Sequence, residues 1–310
     1  MNLQALLNRI DKNRKHLGKW ARREGLEAYR LYDRDMPEFP LAIDLYGEAL
    51  HVQVFERKRP LEDEQLLLLR DALLEHFALS PEQLAIKTRR RQRGLSQYQK
   101  LVESAPSFTV AERGYRFEVN LHRYLDTGLF LDHRDTRYLI GQRAKGKSFL
   151  NLFAYTGSFT VYAAGGGARR TVTVDMSNTY QEWSKRNLAL NGFGDPRRHH
   201  FAQSDVLAFL QQMREAKVRF DLIMLDPPSF SNSKRMQATF DVQRDQFELL
   251  RDTLDLLAPG GELFFSNNRQ GFRLDDQIQE LAQVEEITSR TVPQDFKRHQ
   301  PHRCWLLRRS

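Results

Sequence analysis

The chain has 310 residues, 48 Lys and Arg against 40 Asp and Glu, a formal net charge of +8 and one cysteine, Cys304. This length buries a sizeable core and favours two domains, and a lone cysteine excludes a disulfide within one chain. Neither a run of eighteen apolar residues nor a secretory apolar core within Met1 to Leu17 can be found, so a soluble protein of the reducing cytoplasm is expected, away from membranes.

In chain order, the first 121 residues read as a small α+β accessory domain. A basic N-terminal helix leads into two short alternating runs, Leu41 to Leu45 and Leu50 to Phe55, joined near Gly47-Glu48. An amphipathic helix from Glu62 to Phe77 follows. The runs Phe108 to Glu112 and Tyr115 to Asn120, joined by Arg113-Gly114, predict a β-hairpin.

Two basic clusters lie in this part. Arg9 to Arg23 carries Arg9, Lys12, Arg14, Lys15, Lys19, Arg22 and Arg23 against Asp11 alone, and Lys87 to Lys100 holds six basic residues and no acid. Such runs supply salt-sensitive phosphate contacts, although a charge run is more often a solvated face. The candidate RNA contacts are Lys15, Lys19, Arg22 and Arg23 in the first cluster, and Arg89, Arg90, Arg91, Arg93 and Lys100 in the second.

From residue 122 to 310 strands and helices alternate. The predicted order is strand Phe149 to Phe153, helix Ser158 to Ala164, strand Thr171 to Asp175, helix Thr179 to Leu190, strand Arg198 to Gln203 and helix Val206 to Met213. Strand Asp221 to Leu225, helix Asp241 to Leu257 and strand Glu262 to Ser266 complete it. This pattern predicts an α/β fold, a parallel Rossmann-like sheet covered by helices on both faces.

The stretch Asn151 to Ser158, NLFAYTGS, follows an apolar run, and an acid, Asp175, ends the next one. Strand, Gly-containing turn, helix and acid-tipped strand form half of a nucleotide-binding βαβ unit, the acid accepting from a ribose diol. A dinucleotide site needs several glycines so that backbone N–H groups reach a pyrophosphate. Here only Gly157 stands among Tyr155, Thr156 and Ser158, a turn that suits the phosphate-free cofactor S-adenosylmethionine. Gly165-Gly166-Gly167 comes after the helix and reads as its C-terminal turn.

Ser204-Asp205 and Asp226-Pro227-Pro228-Ser229-Phe230 also stand where strands hand over to the next segment, so Asp175, Asp205 and Asp226 converge on one crevice. Two prolines in succession lack N–H donors and hold the backbone extended, leaving carbonyls and the Asp226 carboxylate as acceptors beside a flat ring stacked on Phe230. The alternative is that Pro-Pro only ends a buried strand.

The long stretches YLDTGLFLDHRDTR from Tyr124, NLFAYTGSFTVYA, TVTVDMSNTYQEWSKRNLALNG, DPPSFSNSKRM and the tail HRCWLL resemble class I S-adenosylmethionine-dependent methyltransferases. Within them the chain is most similar to bacterial 23S rRNA methyltransferases, in particular the guanine-N7 half of the bifunctional guanine N2/N7 type, over nearly its whole length. That resemblance implies a seven-stranded sheet ended by an antiparallel hairpin near Val284 to Val292 and Arg303 to Leu307. It implies that Asp132 and Arg134 hold the methionine end of the cofactor, Asp175 the ribose and Asp205 the adenine edge, with Asn151, Phe153, Tyr155, Thr156, Gly157, Ser158, Met176 and Ser204 beside them. Asp226, Pro227, Pro228 and Phe230 then receive the acceptor base, with Asp226 also bordering the cofactor. The implied partner is 23S rRNA or a large-subunit precursor, together with a guanine-N2 methylating half, linked or separate.

Chemistry at the base follows from what is missing and what is present. Pyrimidine C5 methylation needs a nucleophile, usually cysteine, whereas the place after the fifth strand reads Ser266-Asn267-Asn268-Arg269 and Cys304 falls among packing residues. Guanine N7 has an in-plane lone pair and loses no proton, so alignment suffices and no general base is required. No metal site is expected from His199-His200, His299 or His302, which have no ordered ligand spacing. Two other readings stay open: methylation of an exocyclic amine on guanine or adenine, and an RNA-binding assembly factor with a non-catalytic cofactor site.

Overall fold

The computed structural model describes residues 2–55, 61–89, 106–231 and 239–309. They form two units, one of residues up to Leu131 plus Gln294–His299, the other of Asp132–Pro293 plus Gln300 onward.

The first unit opens with helix α1, Leu3–Glu24, started by Asn2, whose side chain accepts from the Ala5 amide, and stopped by Gly25 at φ 66°. Leu6, Leu7, Ile10, Trp20 and Ala21 bury one face of α1, while Lys12, Lys15, Lys19, Arg22 and Arg23 stay exposed. Those five basic residues are spaced by three, four, three and one, which at 3.6 residues per turn lines them along a single stripe.

Strands β1 (Ala28–Asp33), β2 (Leu41–Tyr46), β3 (Ala49–Phe55) and β4 (Leu84–Arg89) form a sheet in that order, antiparallel except for the parallel β3–β4 pair. Helix α2, Asp63–Phe77, makes the crossover that a parallel pair needs. The predicted hairpin is present as β5 (Phe108–Glu112) and β6 (Tyr115–Val119). Arg113 and Gly114 both take positive φ, 49° and 87°, at its two-residue turn. The returning segment Gln294–His299 is held by Asp295, which accepts from the Arg30 amide at 2.9 Å, and by the Arg30 guanidinium over the Phe296 ring.

The second unit contains the expected doubly covered sheet. Its strands are β7 (Ser148–Leu152), β8 (Arg170–Asp175), β9 (His199–Gln203), β10 (Phe220–Leu225), β13 (Leu257–Asn267), β14 (Gln283–Glu286) and β15 (Arg303–Arg308); a short ribbon pairs β11 (Phe230–Ser231) with β12 (Phe240–Asp241). The seven-stranded order is β14-β15-β13-β10-β7-β8-β9, parallel except that β15 runs against both neighbours. The residues between β14 and β15 are not all extended: Thr288–Thr291 forms the short helix α9.

Helices α3 (Arg134–Arg143), α4 (Ser158–Gly165), α5 (Asn178–Leu190), α6 (Val206–Glu215), α7 (Val242–Leu254) and the short α8 (Ile278–Leu281) accompany these strands. Central β7 is buried at every position, as expected of a strand covered on both faces. Gly166 permits the closest packing of α4: a Cβ there would lie 2.0 Å from the Gly141 carbonyl oxygen of α3. Among the described residues no helix is long and apolar enough to cross a membrane.

Candidate active site

The sheet reverses its winding between β7 and β10: the chain steps outward from β7 to β8 and β9 on one side, then to β10 and β13 on the other. A crevice opens beyond the carboxyl ends of strands at such a switch point. Beyond those ends lie the turn after β7, Asp175 closing β8, Asp205 after β9 and Asp226 after β10.

The turn Phe153 to Gly157 is wound tightly. Phe153, Tyr155 and Gly157 have φ of 56°, 52° and 73°, a left-handed conformation in which non-glycine residues cost on the order of 1–3 kcal/mol each. Neighbouring groups hold it there. The Tyr155 amide donates to Asp175 Oδ2 at 2.9 Å, the Ala154 amide to the Val174 carbonyl at 3.0 Å, Ser184 Oγ to the Tyr155 carbonyl at 3.0 Å and Asn187 Nδ2 to the Thr156 carbonyl at 2.9 Å. Gly157 has no room for a side chain, because a Cβ would sit 2.8 Å from Ser184 Cβ. Thr156 is fully buried, Ser158 opens α4, and the Tyr155 ring meets Tyr180 edge-on at 4.6 Å.

Asp175 therefore anchors the turn as well as facing the crevice. Its other oxygen, Oδ1, accepts from the Ser177 amide at 2.8 Å, and burial pushes its carboxyl up to about 6 against two lowering backbone hydrogen bonds. Two donors leave part of the acceptor capacity of a carboxylate for a ligand. Gln181, which the sequence pattern does not single out, braces the same strand ends: its Nε2 lies 2.8 Å from the Ala202 carbonyl and 3.2 Å from that of Asp175.

Asp205 caps α6 through Oδ1, which accepts from the Leu207 and Ala208 amides at 2.9 and 3.1 Å. Ser204 precedes it, its amide bonded to the Asp175 carbonyl, and Met176 lies half-buried beside them. Asn151 has work inside the fold: it is buried, and its Nδ2 donates to Thr160 Oγ1 of α4 at 3.0 Å. Phe153 packs toward Phe240 at 6.1 Å.

Around Asp226 the groups are closer still. Ser266 Oγ donates to its Oδ1 at 2.5 Å, and His133 Nε2 lies 3.4 Å from its Oδ2. Burial raises the Asp226 carboxyl to about 6. Asp132 sits just ahead of α3 and meets His302, and Arg134, the first residue of α3, is completely buried. Pro227 is buried and Pro228 half-buried, while Phe230 is 50% exposed in the short β11–β12 ribbon. Ser229 Oγ, next to it, reaches Asn268 Oδ1 at 2.6 Å.

His133 and His302 are the residues of this site that sequence reasoning missed. With Asp132 they bring three donor groups within 4.8 Å of one another. Their rings stack at 4.2 Å and 14°, so their in-plane lone pairs run side by side and do not converge on one ion.

Of the candidate RNA contacts, Lys15, Lys19, Arg22 and Arg23 are on the exposed stripe of α1, and Arg89 ends β4. Arg90, Arg91, Arg93 and Lys100 lie outside the described residues. Cys304 is fully buried in β15, and burial raises its thiol far above the range of a reactive cysteine.

A family model for S-adenosylmethionine-dependent methyltransferases matches residues 33–300. Ribosomal RNA large subunit methyltransferase K of Neisseria meningitidis is 50% identical over 305 residues, 97% of this chain and 86% of that protein. Ribosomal RNA large subunit methyltransferase K/L of Methylococcus capsulatus is 52% identical over 308 residues, of which the chain spans only 42% of that protein's length. Among solved structures, a protein assigned as a methyltransferase and complexed with SAH shares the fold at a TM-score of 0.77, covering 99% of this chain and 82% of that one at 24% identity. A protein from Streptococcus mutans assigned as a SAM-dependent methyltransferase does so at 0.75 and 24% identity, covering 99% and 81%.

Proposed function

Because the chain belongs to the S-adenosylmethionine-dependent methyltransferase family, we propose that it transfers the methyl group of that cofactor to N7 of a guanine in 23S rRNA of the large ribosomal subunit. The observation that carries this reading is Asp226-Pro227-Pro228 at the end of β10, facing the switch point opposite Asp175, in a chain half identical to a large-subunit rRNA methyltransferase.

The donor set fits the cofactor. S-adenosylmethionine offers a ribose diol, an adenine edge and an amino acid end, and no phosphate, while this crevice presents carboxylates and a single-glycine turn. In this reading Asp175 accepts from the ribose hydroxyls with the acceptor capacity its two amide donors leave. Asp205, whose Oδ1 is taken by α6, uses Oδ2 for the adenine amine. Asp132 serves the ammonium of the methionine end, whereas Arg134, expected to pair with its carboxylate, is completely buried and supports that end from inside the fold. Tyr155, Thr156, Gly157 and Ser158 shape the turn beside the cofactor, with Phe153, Met176 and Ser204 as flanking wall. Asn151 supports them from inside the fold through Thr160.

When bound, the cofactor supplies an electrophilic methyl on a sulfonium. The protein's own part is to seat the guanine so that N7 faces that methyl in line and water is excluded. Asp226 and the Pro227 carbonyl accept from the guanine N1–H and N2–H, and Phe230, exposed at the edge, stacks on the ring. The cationic purine that forms is favoured by the negative charge of Asp226.

N7 faces a deep, narrow groove in A-form RNA, so the guanine must be unpaired or flipped out. The first unit, through the basic stripe of α1 and the residues around Arg89 to Lys100, holds the surrounding RNA. The working compartment is then the cytoplasm, where large-subunit precursors are built. A second methylating half, linked or separate, is a partner of this reading, in keeping with the K/L name of one relative.

Transfer of a labelled methyl to large-subunit rRNA, followed by nuclease digestion and mass spectrometry, tests it. Label in 7-methylguanosine is expected. Label in an exocyclic-amine product selects the alternative chemistry, and none at all with intact RNA binding selects an assembly role.

A further inference from the structure

Two buried imidazoles stand between two of the acids. His302, immediately before β15, has Nδ1 3.1 Å from Asp132 Oδ2 and Nε2 3.2 Å from Thr291 Oγ1. His133, between Asp132 and α3, has Nε2 3.4 Å from Asp226 Oδ2 and 4.0 Å from Asp132 Oδ2. The side chain of His302 is wholly inaccessible and that of His133 is 7% exposed. Burial pushes the pKa of both below the usual histidine value, so both rings are neutral near pH 7.

A neutral imidazole has one N–H, and the contacts say where each belongs. His133 Nδ1 has no hydrogen-bond partner, and a bare nitrogen there costs less than a buried N–H, so the proton sits on Nε2, the nitrogen that lies 3.4 Å from Asp226 Oδ2. His302 then donates from Nδ1 to the Asp132 carboxylate, which can only accept, and leaves a bare Nε2 3.2 Å from Thr291 Oγ1, whose hydroxyl donates to the Thr288 carbonyl. Asp226 accepts from Ser266 on Oδ1, and its Oδ2 lies 3.4 Å from His133 Nε2, so each carboxylate oxygen has a polar neighbour that limits how the group turns.

We propose that His133 and His302 are positioning residues for methyl transfer, their stacked rings holding the Asp132 and Asp226 carboxylates in one fixed mutual orientation. This rests on the roles given above to Asp132 at the cofactor and Asp226 at the base. The rings connect the two sides of the reaction: a tilt of one carboxylate is felt through the ring contact by the other. Since a misplacement of about 1 Å at the reacting centre costs on the order of a hundredfold in rate, fixing both acids together is worth more than fixing either.

The experiment compares His133→Gln with His133→Leu and His302→Asn with His302→Leu in the full chain, measuring kcat and KM for S-adenosylmethionine and for large-subunit rRNA. The Gln amide nitrogen replaces Nε2 and the Asn amide nitrogen replaces Nδ1, whereas Leu keeps only the volume. The expected result is roughly a tenfold or greater loss of kcat in His133→Leu and a comparable rise of the cofactor KM in His302→Leu, each largely restored by the amide variant. Leu variants equal to wild type, or amide variants no better than Leu, overturn the proposal.

Asp132→Asn and Asp226→Asn run alongside separate the two levels. If they lose transfer while the Leu variants do not, only this inference falls. If they transfer as well as wild type, the roles beneath it fall too. Imidazole nitrogen-15 spectra of the unaltered protein give a readout that needs no variant: an Nε2–H tautomer at His133 and an Nδ1–H tautomer at His302 are expected, and the opposite pair overturns the proposal.

Discussion

The Tyr155 amide and the Asp175 carboxylate meet at 2.9 Å across the ends of β7 and β8, so the acid proposed to read the ribose also locks the turn that follows β7. The two duties are coupled. Any change at Asp175 that frees the turn also relaxes Phe153 and Tyr155 out of their left-handed conformations.

The first prediction follows from this coupling. Asp175→Ala removes the diol acceptor and the anchor of Tyr155 together, and S-adenosylmethionine affinity is expected to fall by roughly ten- to a hundredfold, the worth of hydrogen bonds to a charged group. Asp175→Asn keeps one acceptor oxygen and is expected to fall between. Titration calorimetry checks it, and an unchanged dissociation constant in the Ala variant removes Asp175 from the cofactor site.

Asp226 gives a pH-dependent prediction. Its carboxyl is raised in the folded protein to about 6 from an ordinary 3.8, chiefly by burial, so ionising it costs folding stability. The cost is absent below the unfolded value, grows between the two and is complete above the folded one, reaching up to about 3 kcal/mol. Asp226→Asn is therefore expected to melt higher than wild type at pH 8, with the difference vanishing near pH 4, while methyl transfer is lost. A melting temperature at pH 8 equal to or below wild type contradicts the burial cost.

How far the sequence led can be judged at particular residues. The acids at the ends of β8 and β10 were legible because each follows an apolar strand and precedes a turn, a local pattern. The hairpin at Arg113-Gly114 was legible for the same reason. β1 was not, since Ala28–Asp33 is buried at nearly every position and mixes Tyr, Arg and Asp without alternation. β4 was not legible either, because its second half, Lys87 to Arg89, belongs to a basic run whose charge outweighs the short strand pattern. The contact of His302 with Asp132 spans 170 positions, and no spacing rule reaches that far. The same holds for Gln294–His299, which groups with the first unit although the chain on either side of it belongs to the second.

The stripe on α1 predicts a salt signature. Replacing Lys15, Lys19, Arg22 and Arg23 by Gln should weaken binding of large-subunit rRNA fragments and flatten the dependence of log K on log salt by about 0.7 to 0.9 for each phosphate that the protein ceases to neutralise. Cofactor affinity should stay as in wild type. An unaltered slope assigns the stripe to plain solvation.

Packing of α4 against α3 gives the last prediction. Gly166 has an ordinary φ of −73°, so alanine there meets no backbone penalty, and the whole cost is steric: its Cβ would fall 2.0 Å from the Gly141 carbonyl oxygen and 2.7 Å from its carbon. These are backbone atoms and cannot swing aside. Gly166→Ala must therefore move α4 relative to α3, which is expected to cost about 3 kcal/mol or more. Gly194→Ala is the control, since nothing lies within 4 Å of a Cβ there and its φ is not left-handed. It should be neutral or stabilise by up to about 1 kcal/mol through the unfolded chain. Because α4 begins at Ser158, directly after the turn proposed to seat the cofactor, the displaced helix should weaken S-adenosylmethionine binding as well as lower the denaturant midpoint. Equal midpoints for the two variants would show that the α3–α4 contact is not close-packed.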